Sequence, residues 1–251
     1  MKNKRLFRFR NVAVVCVAVS ALSVVLWIFQ PCLGNSKSRK TWSSLLEYAS
    51  DSGLPTFRTR VHQPADLIKY VDMSVEYRTR HGAVAHVTGY KRENGDIAIK
   101  AKFHGNAKFF YEDLAWAKDL DGTLGYIHPN GEWAFKVDAY SAFDFIGDRA
   151  IIRNISESGH TIDGFIDKYG TIVVEPRFWD VENYIGEFAL VSLPTWRTRI
   201  LKKIVDVSGM SINTCFSYHV YIIDREGKKC TNAEVLDWIN EQQNQSREGR
   251  N

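Results

Sequence analysis

The sequence lacks every short motif by which a catalytic or metal centre shows itself locally. Among seven histidines (His62, His81, His86, His104, His128, His160 and His219) and four cysteines there is no His-Glu-x-x-His, no Cys-x-x-Cys and no histidine pair four residues apart. A sequence-local metal site therefore has no support. Gly-x-Ser-x-Gly, a Gly-Lys-Ser/Thr phosphate loop and Gly-x-Gly-x-x-Gly are also missing, and no cofactor is expected. Triads can assemble from distant residues, so these absences weigh against an enzyme without excluding one. Asp138, Asp144, Asp167 and Glu175 fall at turns or strand ends, where solvation is the ordinary reading of a carboxylate.

Charge of one sign is scarce once it is located. The formal net charge is +4, but Lys2, Lys4, Arg5, Arg8 and Arg10 precede the first apolar run, leaving 28 basic against 29 acidic residues. The basicity is topogenic and gives no support to nucleic-acid binding.

What is present is a pattern that occurs twice, 39 residues apart. Gly125-Tyr126-Ile127 answers to Gly164-Phe165-Ile166, and Gly131 to Gly170. Phe145-Ile146-Gly147-Asp148 answers to Tyr184-Ile185-Gly186-Glu187, and Ala150 and Ile152 to Ala189 and Val191. Gly89-Tyr90 with Gly95 and the stretch Phe109–Ala117 make an earlier unit. Tyr221 to Gly227 is a degenerate later one, and Gly82–Val87 reads as a leading tail. Turn formers at Glu93-Asn94-Gly95, Pro129-Asn130-Gly131 and Lys168-Tyr169-Gly170 between short alternating apolar runs predict hairpins, with the glycine at positive φ. The fold class expected is mainly β: about four tandem β-hairpin repeats of 36–39 residues with short flanking helices, preceded by one transmembrane helix.

This pattern resembles the WG (tryptophan-glycine) repeat family of bacterial proteins. The matching residues are Gly125, Tyr126, Ile127 and Gly131, then Gly164, Phe165, Ile166, Asp167 and Gly170, then Ile223, Asp224 and Gly227. The tryptophan of the family name is replaced by Thr88, Leu124 and Asp163. The resemblance implies a β-rich repeat protein, often of unknown role, and carries over no catalytic residue.

Taken in order, the chain begins with a basic tail (1–11) and an uncharged run from Val12 to Phe29. As a helix, that run would span about 27 Å, enough for a hydrocarbon core. The charges ahead of it predict a cytoplasmic N-terminus, with everything beyond residue 35 outside the cytoplasm. A signal peptide cleaved after Gly34 is the competing reading. A linker (30–40) leads to a helical or extended cap region (41–81), with Thr41 capping a helix that Gly53 ends and Pro64 opening a second with Leu67, Ile68 and Val71 on its stripe. The repeat domain covers 82–230. Thr231-Asn232-Ala233-Glu234 reads as a capping box for a helix over 231–243, followed by a frayed polar tail (244–251).

Two further features lie outside the repeat period. Leu54-Pro55-Thr56-Phe57-Arg58-Thr59-Arg60 recurs as Leu193-Pro194-Thr195-Trp196-Arg197-Thr198-Arg199. Arg58, Arg60, Arg197 and Arg199 are either solvated strand faces or a shared anion-binding surface. Cys215 and Cys230 flank the degenerate hairpin; in an oxidising compartment they are a disulfide candidate, and otherwise two buried thiols. Trp116, Trp133, Trp179 and Trp196 are core residues or exposed anchors. The expected function is a membrane-anchored extracytoplasmic binding or scaffolding module, its partner an envelope protein or glycan. An envelope glycan hydrolase and a secreted effector or toxin-immunity component are the alternatives.

Overall fold

The computed structural model describes residues 36–56, 66–78, 82, 84–105, 107–195, 198 and 218–248. The chain divides into two compact units, Asn35–Leu193 with Val220–Asn251, and Met1–Gly34 with Pro194–His219. Nearly all described residues belong to the first. The expected membrane span lies outside the described residues; among those described, no helix is long and apolar enough to cross a membrane.

Helix α1 runs Ser36–Ser52 and ends where Gly53 turns to φ 73°. It begins five residues before the expected cap. Thr41 sits inside it with Oγ1 bonded back to Lys37 O at 3.2 Å, so residues 36–40 are helix and not linker. Trp42, Leu45 and Ala49 are its buried face.

The second helix expected in the cap region is a strand. Pro64 lies outside the described residues, but Leu67–Arg78 form β1, paired antiparallel with β2 (Val84–Arg92) from Leu67↔Arg92 to Asp72↔Val87. Leu67, Ile68 and Val71 satisfy helical spacing over so short a run, but a facing strand decides the matter. A bulge at 73–75 follows, held by Asp72 Oδ1 accepting from Ser74 N–H at 2.9 Å.

Four antiparallel sheets follow one another. The first is β1-β2-β3, with β3 Ile97–Phe103. The second joins β4 (Ala115–Lys118), β5 (Leu124–Ile127) and β6 (Trp133–Lys136). The third orders β7 (Ser141–Ala142), β8 (Arg149–Ile155), β9 (Thr161–Asp167) and β10 (Ile172–Phe178). In the fourth stand β11 (Asp180–Val181), β12 (Ala189–Pro194), β13 (Tyr218–Ile223) and β14 (Lys229–Cys230).

Sheets and sequence repeats are out of phase. The tail of one repeat is a strand in the sheet of the next: Ala115, Trp116 and Ala117 pair with Ile127, Tyr126 and Gly125, as Ala150, Ile151 and Ile152 pair with Ile166, Phe165 and Gly164. The same register identifies the leading tail as Ile68, Lys69 and Tyr70, opposite Lys91, Tyr90 and Gly89. Val84–Val87 belong instead to β2 itself.

One aromatic pair recurs in this arrangement. Tyr90 meets Phe110 at 4.9 Å, Tyr126 meets Phe145 at 4.8 Å and Phe165 meets Tyr184 at 4.7 Å between centroids. All six rings are fully buried, each contributing about 2–3 kcal/mol through area and the pairs somewhat more through ring geometry. The tyrosine hydroxyls find carbonyls: Tyr90 donates to Lys108 O, Tyr126 to Phe143 O at 2.6 Å and Tyr184 to Asp224 O at 2.7 Å.

The two repeat glycines do different work. At the strand glycine the next strand comes too close for a side chain: a Cβ on Gly125 would lie 2.4 Å from Phe135 O, and one on Gly164 2.3 Å from Val174 O. Tyr221 is tolerated at the equivalent position because β14 stops at Cys230, before a strand would face it. The turn glycine has positive φ, as expected, and leans on the preceding repeat: Gly131 on Ile99, Gly170 on Phe135, Gly227 on Val174.

Helix α2 runs Asn232–Glu248, five residues beyond the expected end. Its capping box is as predicted, Thr231 N–H donating to Glu234 Oε2 at 2.6 Å and Glu234 N–H to Thr231 Oγ1 at 3.3 Å. Trp238 packs edge-on to Tyr48 of α1 at 5.7 Å and to Phe188 at 5.5 Å, so both helices gather at the fourth sheet.

Candidate functional site

Charged residues within apolar strands are the first departure from the repeat logic. Arg153 on β8 and Asp163 on β9 are cross-strand partners. Arg153 Nε and Nη2 donate to the two carboxylate oxygens at 2.7 Å each, and Asp163 is only 1% exposed. The guanidinium also lies 5.0 Å from the centroid of the Phe143 ring. Its hydrogen bonds to Asp163 raise the Arg153 pKa above its usual value.

Asp180 lies within electrostatic reach of both members of this pair, and Glu182 lies two residues further along and feels Asp180. Both reach solvent, yet both are raised above their usual values, chiefly by partial burial. For Asp180 the second cause is the negative charge of Asp163, and for Glu182 it is that of Asp180; Arg39 of α1 opposes the shift in each. His160 and Trp179 meet edge-on at 5.2 Å, just before β9 and β11. Asp163, Asp180 and Glu182 with Arg153 and Arg39 thus form a chain of electrostatic influence where the third and fourth sheets adjoin. Chemically, Arg153 fixes Asp163, while Asp180 and Glu182 can face a cationic group. On the adjoining edge, an open depression of about 690 Å³ lies between the β8–β9 turn (Ser156, Glu157, Ser158) and Glu175–Pro176.

A second charged arrangement ties the tail turns together. Glu112, Asp113, Gly147 and Asp148 all have left-handed backbone, φ 50°, 64°, 62° and 64°. Two-residue hairpin turns of the primed type demand it. Glu112 accepts from Gly147 N–H at 2.6 Å and Asp148 N–H at 3.1 Å. Lys168 Nζ lies 3.0 Å from Glu112 and 2.8 Å from Asp148. Burial alone would depress the Lys168 ammonium, but the two carboxylates outweigh it and raise it, while the Lys168 hydrogen bond holds Asp148 below its usual value. Arg225, at the same repeat position as Lys168, donates to Gly186 O at 2.8 Å and Gly147 O at 3.4 Å. Its Nε lies 3.1 Å from Glu187 but is not aligned for a hydrogen bond, so that contact is Coulombic.

Of the residues singled out in the sequence, Arg58, Arg60, Arg197, Arg199, Cys215 and Trp196 lie outside the described residues. Cys230 is a free thiol, pushed up to about 11 by burial and then by Asp224 and Glu234. His86, His104, His128, His160 and His219 are spread over separate strands and turns, and no metal-holding group of three occurs among the described residues. Trp133 is half-buried and packs on Phe103 at 5.8 Å, and Trp116 is half-buried beneath Lys108. Asp167 organises its own turn, accepting from Tyr169 and Thr171 N–H at 2.9 Å.

Sequence reasoning did not find the Arg153–Asp163 cluster. Its signal was two opposite charges inside Ala-Ile-Ile-Arg-Asn-Ile and Thr-Ile-Asp-Gly-Phe-Ile. Asp163, which stands in place of a tryptophan, is where the ion pair forms.

No curated protein and no solved structure matches the chain. The family model described as WG containing repeat matches residues 89–122 and 164–193. Each matched stretch opens on a strand glycine, Gly89 or Gly164, and the unmatched unit between them shares its pairing register. The chain therefore carries WG-type repeats over these two stretches.

Proposed function

We propose that this protein is a membrane-anchored, extracytoplasmic binding or scaffolding module of the bacterial envelope, held by the Val12–Phe29 run and engaging an envelope protein or glycan through its repeats. The observation that carries this reading is the locking of successive repeats. The turn glycines Gly131, Gly170 and Gly227 each rest on the hairpin before, and Glu112, Asp148, Lys168 and Arg225 cross-link three tail turns. Such locking presents side chains of several repeats in fixed register, as a recognition surface requires.

The test uses the full chain in cells. Topology reporters fused after residue 35 and at the C-terminus should report an extracytoplasmic location. A photoreactive residue at Tyr169, 88% exposed, or at Glu182 should then give one discrete adduct. A cytoplasmic reporter signal, or the same diffuse labelling from both sites, would overturn the reading.

A glycan-acting hydrolase is the second reading, favoured by the raised Asp180 and Glu182 side by side. Turnover of cell-wall glycan by purified protein, lost in Asp180→Asn or Glu182→Gln, would replace the scaffold reading.

A further inference from the structure

Two hairpin turns carry the same Asn-Gly dipeptide in the same geometry. In both, Asn Oδ1 accepts from the N–H two residues on, Asn94 from Asp96 and Asn130 from Glu132, each at 3.0 Å. Nδ2 donates to that residue's carboxylate, at 2.8 Å and 2.9 Å. The glycine N–H donates to the carbonyl opening the turn, Gly95 to Arg92 and Gly131 to His128, each at 2.9 Å. Both glycines have positive φ, 92° and 82°.

What differs is the neighbour of each glycine. Gly131 is buried: a Cβ there would meet Ile99 Cγ2 at 2.8 Å, and Lys102 Nζ donates to its carbonyl at 3.2 Å. Gly95 is exposed, and a Cβ there would meet nothing within 4 Å. Among the described residues no earlier hairpin precedes this first turn.

From this contrast we infer that Asn94 is a site of spontaneous covalent modification, conversion through a cyclic imide to aspartate and isoaspartate, and that repeat stacking shields Asn130 from the same reaction. The Gly95 amide nitrogen gives its proton to solvent base and attacks Asn94 Cγ. The new N–C bond closes the ring, the Cγ–Nδ2 bond breaks, and nitrogen leaves as ammonia after taking up a proton. Water, the only co-reactant, then opens the ring. Attack at the side-chain carbonyl yields aspartate; attack at the backbone carbonyl yields isoaspartate, which lengthens the main chain by one carbon. Attack requires the Gly95 N–H to leave Arg92 O, a local opening that costs little at an open turn and more where Ile99 and Lys102 hold the loop. The product adds a carboxylate between Glu93 and Asp96, and the isoaspartyl form cannot keep the tight turn.

The experiment compares the two sites within one molecule. The full chain is incubated at mildly alkaline pH, folded or in concentrated urea, and both residues are followed by peptide mass mapping and isoaspartyl-specific enzymatic methylation. In the folded chain Asn94 should convert about tenfold faster than Asn130 or more. In urea the rates should converge to within about twofold. Equal rates in the folded chain, no conversion at Asn94, or the same ratio persisting in urea would overturn the inference. Ile99→Ala should accelerate Asn130 alone, and should that variant fail to fold, the urea comparison decides without it.

Discussion

Arg153 and Asp163 face each other across β8 and β9 with both carboxylate oxygens bonded to one guanidinium fork, and the aspartate stands where the repeat family places its tryptophan. A desolvated ion pair fills a position that an aromatic ring would otherwise stabilise by area. Such a pair contributes little net stability, but losing one partner is costly.

Asp163→Ala should therefore destabilise by about 2–4 kcal/mol, somewhat below a fully buried pair because Arg153 is one-third exposed. Arg153→Met with Asp163→Leu should recover most of that loss. Urea unfolding of the single and double variants measures both.

Asp180 and Glu182 set a pH dependence of definite sign. Each has a folded pKa raised above its unfolded value, so the folded state holds protons more tightly and stability falls as pH rises from about 4 through the folded pKa values. The penalty is complete above them. Asp180→Asn with Glu182→Gln should raise the thermal midpoint at neutral pH and leave it unchanged below pH of about 4, read from melting curves across that range.

The glycines rank by their neighbours. Gly164→Ala, with a carbonyl 2.3 Å from the new Cβ, should cost about 3 kcal/mol or more. Gly131→Ala combines positive φ with a movable Ile99 side chain and should cost less. Gly95→Ala meets only the backbone penalty of about 1 kcal/mol. Denaturant midpoints of the three variants give the order.

Asp113 is an exposed non-glycine residue at φ 64°. Asp113→Gly should stabilise by up to about 1 kcal/mol by relieving left-handed strain. Glu112→Gly relieves the same strain but removes the acceptor for Gly147 and Asp148, and should be destabilising.

Export would put Cys215 and Cys230 in an oxidising compartment. On oxidation there the Cys230 thiol, free in this fold, should bridge to Cys215, and reduction of that bridge should lower stability by about 3 kcal/mol, the figure for a loop of roughly 15 residues. A thiol count before and after reduction, alongside unfolding curves, measures it.

Much of the fold could be read from residue spacing, because each repeat sets its own turn: Gly95, Gly131, Gly170 and Gly227 have the positive φ that their Asn-Gly or Asp-x-x-Gly contexts require. The capping box at Thr231 was equally local. What could not be read was decided at a distance. Leu67 to Val71 fit a helical stripe and became strand because β2 lies beside them. Thr41 looked like a cap because the helical turn before it is polar. The Arg153–Asp163 cluster needs β8 and β9 in register and β11 alongside, and no spacing along the chain reveals that two isolated charges will meet.

The half-step between repeat and sheet has a consequence for how such a chain can grow. Because every tail strand is zipped into the following unit, a gene duplication that copies one repeat lets the old tail pair with the new hairpin and the new tail pair with the hairpin that follows. The array lengthens by one complete sheet with no raw edge left at the join. Deletions obey the same rule, so a chain cut within a linker between repeats strands half a sheet, whereas one cut between β6 and β7 leaves whole sheets on both sides.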